Sequence, residues 1–176
     1  MSTAFFNRWI HSRAVILAFF AVPLVGLAAL VHAQPSVPAC TWSLDGGKQM
    51  SDVRQYHGKV LYVDFWASWC APCVLSFPFM NDLQSAFDGK GLQVVGVDMD
   101  QKADDGQRFL AEHPARFNVA TGSNTQCAKN FGVAAMPSSY LIDRNGAIRF
   151  THRGFREGDA GELRAQVEQL LAEKAQ

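Results

Sequence analysis

The sequence predicts an α/β sandwich, a central mixed β-sheet flanked by helices. Three observations lead there. Two runs rich in β-branched and aromatic residues, KVLYVDFW over 59–66 and GLQVVGVDM over 91–99, have the composition of strands buried on both faces. Each runs on into a segment with helical spacing of apolar residues. The chain then closes with two strand-like runs joined at Arg144-Asn145-Gly146, followed by a last helix. That order requires both parallel and antiparallel neighbours in one sheet.

With 176 residues, 48% of them apolar, the chain has material for one well-filled core. The formal charge is zero and no basic block occurs, which argues against a nucleic-acid partner. Arg8, His11 and Arg13 precede an uncharged stretch from Ala14 to Val31, and VHAQP follows with small Ala33 at the position a signal peptidase favours. Residues 1–33 are therefore expected to be a secretory signal. The apolar stretch is long for a signal core and contains Pro23 and Gly26, so an uncleaved membrane anchor stays open as the second reading. Either way the remainder is placed outside the cytoplasm, in the periplasm. Losing Arg8 and Arg13 from the 16 basic residues leaves 14 against 16 acidic ones. Cys40, Cys70, Cys73 and Cys127 all fall in the exported part, where disulfides persist.

Residues 34–40 are Pro-rich and aperiodic and suit a linker, with the folded domain at 41–176. CTWSLDGGKQM is expected to form a small N-terminal hairpin turning at Asp45-Gly46-Gly47. Ser51 is expected to cap a short helical turn that Gly58 ends. After the first buried strand a helix runs from Cys70 to about Phe87. Its apolar face is Cys73, Phe77, Met80 and Phe87, widened by Val74, Leu75 and Leu83, and Pro78 removes one of its backbone donors. The second buried strand leads to a helix over 104–112. Another helix from Ser123 to about Phe131 ends at Gly132, and the last covers about 159–175.

Cys70 and Cys73 stand two residues apart just after a strand. Zinc needs four ligands, usually two such pairs or a pair plus spaced histidines, and His57, His113 and His152 show no paired spacing. A purely structural disulfide would close a loop too short to restrict the unfolded chain much. A reactive couple fits the position. At the first turn of a helix, backbone N–H groups without intrahelical partners favour a thiolate on Cys70. Lowering the pKa from about 8.5 to about 7 raises the thiolate fraction roughly sixteen-fold, while lower intrinsic nucleophilicity takes back roughly five-fold. The larger effect is on leaving-group ability and redox poise. Cys70 is thus expected to be the exposed, readily ionised nucleophile, and Cys73 the buried resolving thiol.

Asp64 interrupts an otherwise apolar strand, where an ionised unpaired carboxylate would cost several kcal/mol. Two readings stand. It accepts the proton of Cys73 during resolution, or it is an edge-of-sheet aspartate bonded to a neighbour.

GKVLYVDFWASWCAPC, with Pro78 downstream, resembles the strand and active-site motif of the thioredoxin superfamily, and more narrowly of exported thiol-disulfide oxidoreductases of the TlpA/ResA type. The resemblance covers about 42–171. GLQVVGVDMDQKADDGQRFLAEHP resembles that branch's strand–helix insertion, and GVAAMPSSYLIDRNGAIRF its cis-proline segment, with the proline at Pro137. The likeness implies a thioredoxin-like sandwich. It also implies substrate contact by Trp69, Met136 and Pro137, an active-site turn at Ala71 and Pro72, and no cofactor beyond a redox-active Cys70–Cys73 disulfide. Partners implied are disulfides or thiols of exported proteins and a membrane thiol reductase as electron donor, with the chain a monomer. Cytochrome c maturation and copper-site assembly are duties of the group, and the sequence does not choose between them.

Two departures stand out. Relatives often carry a neutral residue where this chain has Asp64, and where some carry a glutamate after the insertion strand this chain reads MDQK, leaving Asp100 as a loose counterpart. Cys40 and Cys127 either pair as a staple or stay free. A Cu(I) carrier using Cys70 and Cys73 with His152 or Met136 is the alternative from a different class, although His152 also suits a solvated strand position. A peroxidase of the peroxiredoxin type is disfavoured, because Ala67 and Val63 occupy the positions where that family has a threonine or serine and a proline.

Overall fold

Seven strands form one sheet in the order β2-β1-β5-β4-β3-β6-β7 in the computed structural model, which describes residues 36–44, 48–121 and 124–174. The strands are β1 (Thr41–Leu44), β2 (Gln49–Asp52), β3 (Val60–Trp66), β4 (Leu92–Asp98), β5 (Asn118–Thr121), β6 (Ser138–Ile142) and β7 (Ile148–Arg153). The helices are α1 (Ala71–Phe87), α2 (Ala103–Glu112), α3 (Thr125–Phe131) and α4 (Ala160–Ala172). β3, β4 and β5 run parallel, and the remaining pairs are antiparallel. The sheet is mixed, as expected, and β3 lies inside it with all seven residues buried.

Each sheet face carries its own apolar layer. On one, Tyr62, Trp66 and Val94 pack under α1, α2 and α4 with Cys73, Phe77, Phe109, Leu163 and Leu170. On the other, Leu61, Val63, Phe65, Val95 and Val97 pack under α3 and the N-terminal hairpin with Trp42, Cys127 and Phe131. The alternation along β3 decides which side chain reaches which layer.

Several expectations are corrected. β5 was not expected. NVAT is too short and polar to announce itself, and it exists because β4 and β1 pair with its two edges. The insertion therefore continues beyond its strand and helix into a further strand, to which the N-terminal hairpin attaches. The hairpin pairs Thr41 with Asp52 through Leu44 with Gln49, and its turn at 45–47 lies outside the described residues. Asp52, not Ser51, caps the following 3₁₀ turn (Val53–Tyr56): its carboxylate accepts from the Arg54 N–H and guanidinium, while Ser51 belongs to β2. Leu75 is 45% exposed, because α1 turns Ser76, Phe77, Phe79 and Met80 inward instead. Part of the expected linker belongs to the folded unit. Ser36 bridges Ala147, the Val37 N–H donates to the Gly146 carbonyl at 2.7 Å, and Cys40 is buried. Gly132 ends α3 in the left-handed region (φ 68°), where its N–H caps carbonyls of the last turn. The signal or anchor segment at 1–33 lies outside the described residues.

Candidate active site

The C-terminal ends of β3 and β4 and the start of β6 meet at one end of the sheet. Trp66 pairs with Asp98 and Phe65 with Ser138, so the segments leading out of β3 and into β6 are neighbours. After β3 the chain makes a tight turn through Ala67, Ser68 and Trp69, closed by the Cys70 N–H donating to the Ala67 carbonyl at 3.0 Å. Cys70 is the N-cap of α1 and offers no side-chain cap bond, and Pro72 in the first helical turn has no N–H to leave unsatisfied. As the N-cap residue, Cys70 stands at the positive end of the α1 dipole.

Cys70 and Cys73 are joined as a disulfide with their Cα atoms 5.3 Å apart. Cys73 is fully buried, and Cys70 is only 4% exposed, less open than the expected exposed nucleophile. Its neighbours differ. Trp69 is 69% exposed and Ala71 and Pro72 are exposed, so the turn itself is what solvent meets. The Met136–Pro137 bond is cis, and the Pro137 carbonyl accepts the Gly154 N–H at 2.7 Å. Met136 is half-buried against the α1 layer. A cavity of about 440 Å³ runs from Pro72 to the β7–α4 loop at Gly154–Arg156. Beside it, an apolar groove of about 590 Å³ follows α1 past Leu75 and Pro78.

Asp64 is fully buried on inner strand β3, away from any sheet edge, and faces the α1 layer with Tyr62 and Trp66. It does have a neighbour: the Ser139 hydroxyl donates to Oδ2 at 3.0 Å. Oδ1 has no partner. Burial pushes the carboxyl up to about 8, against the lowering effect of the Ser139 bond. Asp98, at the end of β4 on the same face, is pushed up to about 6 by burial, with the negative charges of Asp100 and Asp105 adding to it. Asp100 holds the turn before the thiols, its carboxylate accepting from the Ser68 N–H at 2.8 Å and the Ser68 hydroxyl at 2.9 Å. It braces that turn rather than lying free as an acid.

Cys40 and Cys127 are bonded to each other, Cα to Cα 5.0 Å, and tie the residue preceding β1 to α3 across 87 positions. His152 is no solvated strand residue, since it is half-buried with Nε2 2.7 Å from Gln166 Oε1 of α4.

Comparison with known proteins fits this geometry. The redoxin family profile matches residues 33–171. The chain belongs to the redoxin family. This redoxin is of the thioredoxin-superfamily, TlpA/ResA-like type. It is 30% identical over 102 residues to thiol-disulfide oxidoreductase ResA of Bacillus thuringiensis subsp. konkukian, a match covering 58% of either chain. The redoxin thus aligns with little more than half the length of that curated relative. A crystal structure from Chlorobium tepidum, assigned to thiol:disulfide interchange protein DsbE, superposes with a TM-score of 0.75 at 41% identity, covering 79% of this chain and 97% of that one. The thioredoxin domain of a Bacteroides vulgatus oxidoreductase, 22% identical, shares the fold with a TM-score of 0.70 over 78% of this chain and 96% of that one.

The residues that sequence reasoning missed are Ser139, Tyr62, Asp98 and Ser68. A serine inside a strand-like run carries no local signal, and Ser139 gains its role only through pairing with Asp64 75 positions away. Asp98 was legible in principle, as an acid ending an apolar strand.

Proposed function

We propose that this redoxin is a thiol-disulfide oxidoreductase of the periplasm, exchanging its Cys70–Cys73 couple with disulfides of exported proteins. The observation that carries the reading is the disulfide spanning the N-cap and first turn of α1, with exposed Trp69 before it and the cis Met136–Pro137 segment at the neighbouring strand. The ResA and DsbE relatives are named for the same chemistry. The signal-like N-terminus and a second disulfide at Cys40–Cys127 favour an oxidising compartment.

In the reducing direction, the Cys70 thiolate attacks a substrate disulfide and expels one substrate thiolate. Cys73 then gives its proton to the ionised form of Asp64, whose share grows as pH rises toward about 8, and attacks the Cys70 sulfur, which releases the second substrate thiolate and leaves Cys70–Cys73 oxidised. Two electrons move from the protein dithiol to the substrate. A membrane thiol reductase restores the dithiol. Trp69, Met136 and Pro137 line the approach, where the backbone before the proline can pair with an extended segment. Ala71 and Pro72 put no cation between the thiols, so the couple lacks the extra thiolate stabilisation that makes such pairs strong oxidants.

Trapping tests this reading. A Cys73→Ala variant expressed in the native host should accumulate mixed disulfides between Cys70 and exported proteins, released by reductant, whereas Cys70→Ser should capture none. An empty trap, together with tight Cu(I) retention by the reduced wild type, would overturn it in favour of a carrier.

A further inference from the structure

We infer that Ser139 and Tyr62 are positioning residues for proton transfer at Asp64: together they fix one carboxylate oxygen and leave the other to take the proton. This rests on the proposed role of Asp64 as proton acceptor for Cys73. The Tyr62 hydroxyl donates to Ser139 Oγ at 2.9 Å, and the Ser139 hydroxyl donates to Asp64 Oδ2 at 3.0 Å. All three side chains are buried on one sheet face, and the register that pairs Asp64 with Ser139 holds the chain of bonds in place.

When Asp64 is ionised, its charge fixes the direction of these bonds. Burial raises the Tyr62 phenol well above its ordinary range, so it stays a donor, and the two hydroxyl protons point along one line toward the carboxylate. Such a line stabilises the ionised form of Asp64 in a place where desolvation opposes it. Oδ2 is occupied by that line. Oδ1 is buried and unpartnered, and a proton arriving at Asp64 binds there without breaking an existing bond. Without the hydroxyl pair the carboxyl would stay protonated to higher pH, so a smaller share of molecules would present the ionised acceptor at a given pH.

Other groups that share this face can titrate. They are Tyr62 on β3, Cys73 on α1, Asp98 at the end of β4, and His152 on β7, paired across from Ser139. The experiment therefore follows Asp64 itself. Its side-chain carbon is titrated by NMR in the reduced full chain, with the Asp98 signal assigned by Asp98→Asn. In parallel, the pH–rate profile is measured for resolution of a mixed disulfide between Cys70 and a neutral small thiol. Ser139→Ala should raise the Asp64 midpoint by about one to two pH units, the scale of one hydrogen bond to a charged acceptor, and move the rate profile with it. Tyr62→Phe should shift both the same way by less, and Ser139→Thr should restore both. Tyr62→Phe and Ser139→Thr keep the core filled, so the comparison survives if Ser139→Ala folds poorly.

Asp64→Asn separates the two ideas. If it resolves the mixed disulfide at the wild-type rate, the proton-acceptor reading falls and takes the inference with it. If it resolves slowly while Ser139→Ala and Tyr62→Phe superimpose on wild type in midpoint and profile, the inference alone is overturned.

Discussion

Asp64→Asn is expected to make the folded protein more stable at pH 8 by several kcal/mol while slowing resolution of the mixed disulfide about a hundred-fold or more. The sign follows from where the proton sits. Below about pH 4 the carboxyl is neutral in folded and unfolded chains alike and adds no pH dependence. Above its ordinary value of 3.8 the unfolded chain releases the proton, while the folded chain holds it up to about 8. Each pH unit in that window lowers the stability of the wild type by up to about 1.4 kcal/mol, and the loss ends once the folded carboxyl also ionises. Asparagine keeps the shape, can still accept from Ser139, and carries no charge to desolvate. Urea unfolding at pH 5 and pH 8 measures this: the wild type should weaken between the two and the variant much less. Equal pH dependence in both would show that Asp64 is not held neutral by burial. Destabilisation tolerated at a fully buried position is what a group retained for chemistry would display.

Removal of the Cys40–Cys127 bridge by the double substitution Cys40→Ala/Cys127→Ala should cost about 4–5 kcal/mol. The bond closes a loop over a sequence separation of 87, and the loss follows the chain-entropy scale for loops of that length. In a domain of this size the thermal midpoint should drop by about 10–15 °C. Both partners are 4% exposed within the layer that holds Trp42, Phe131 and Tyr140, so cavity formation adds to the entropic loss. The effect should be local in consequence. The bridge anchors the N-terminal hairpin to α3 on the face opposite α1, and disulfide exchange at Cys70 should survive at temperatures where the variant stays folded. Thermal unfolding of both proteins with Cys70–Cys73 oxidised checks this, and a loss under about 1 kcal/mol would contradict the entropic account.

What could be read from the sequence depended on how far apart the cooperating residues lie. KVLYVDFW announced a buried strand, and Cys70 followed by Ala71-Pro72 announced a helix start, because each signal is complete within a few positions. Gly132 likewise ends α3 through a purely local device. β5 was invisible, since its four residues become a strand only when β1 and β4 supply partners. The Cys40–Cys127 pairing stayed undecided for the same reason, because spacing along the chain does not fix the separation of two Cα atoms. Leu75 kept helical spacing yet points outward, since the face α1 buries is set by the sheet beneath it. At the site, the thiols were legible and their supports were not. Ser139, Tyr62 and Ser68 work through register and loop contacts that no local pattern encodes.

The most direct measurement is a redox titration of Cys70 and Cys73. The protein is equilibrated across glutathione buffers from reducing to oxidising, quenched in acid, alkylated and read by mass. One cooperative two-electron transition confined to Cys70 and Cys73 is predicted, at a potential well below the roughly −120 mV of the strongest oxidants, with Cys40–Cys127 oxidised throughout. A pair that stays locked in one state across every buffer would contradict dithiol–disulfide exchange at the mouth of α1, and a midpoint near −120 mV would reverse the direction assigned to it.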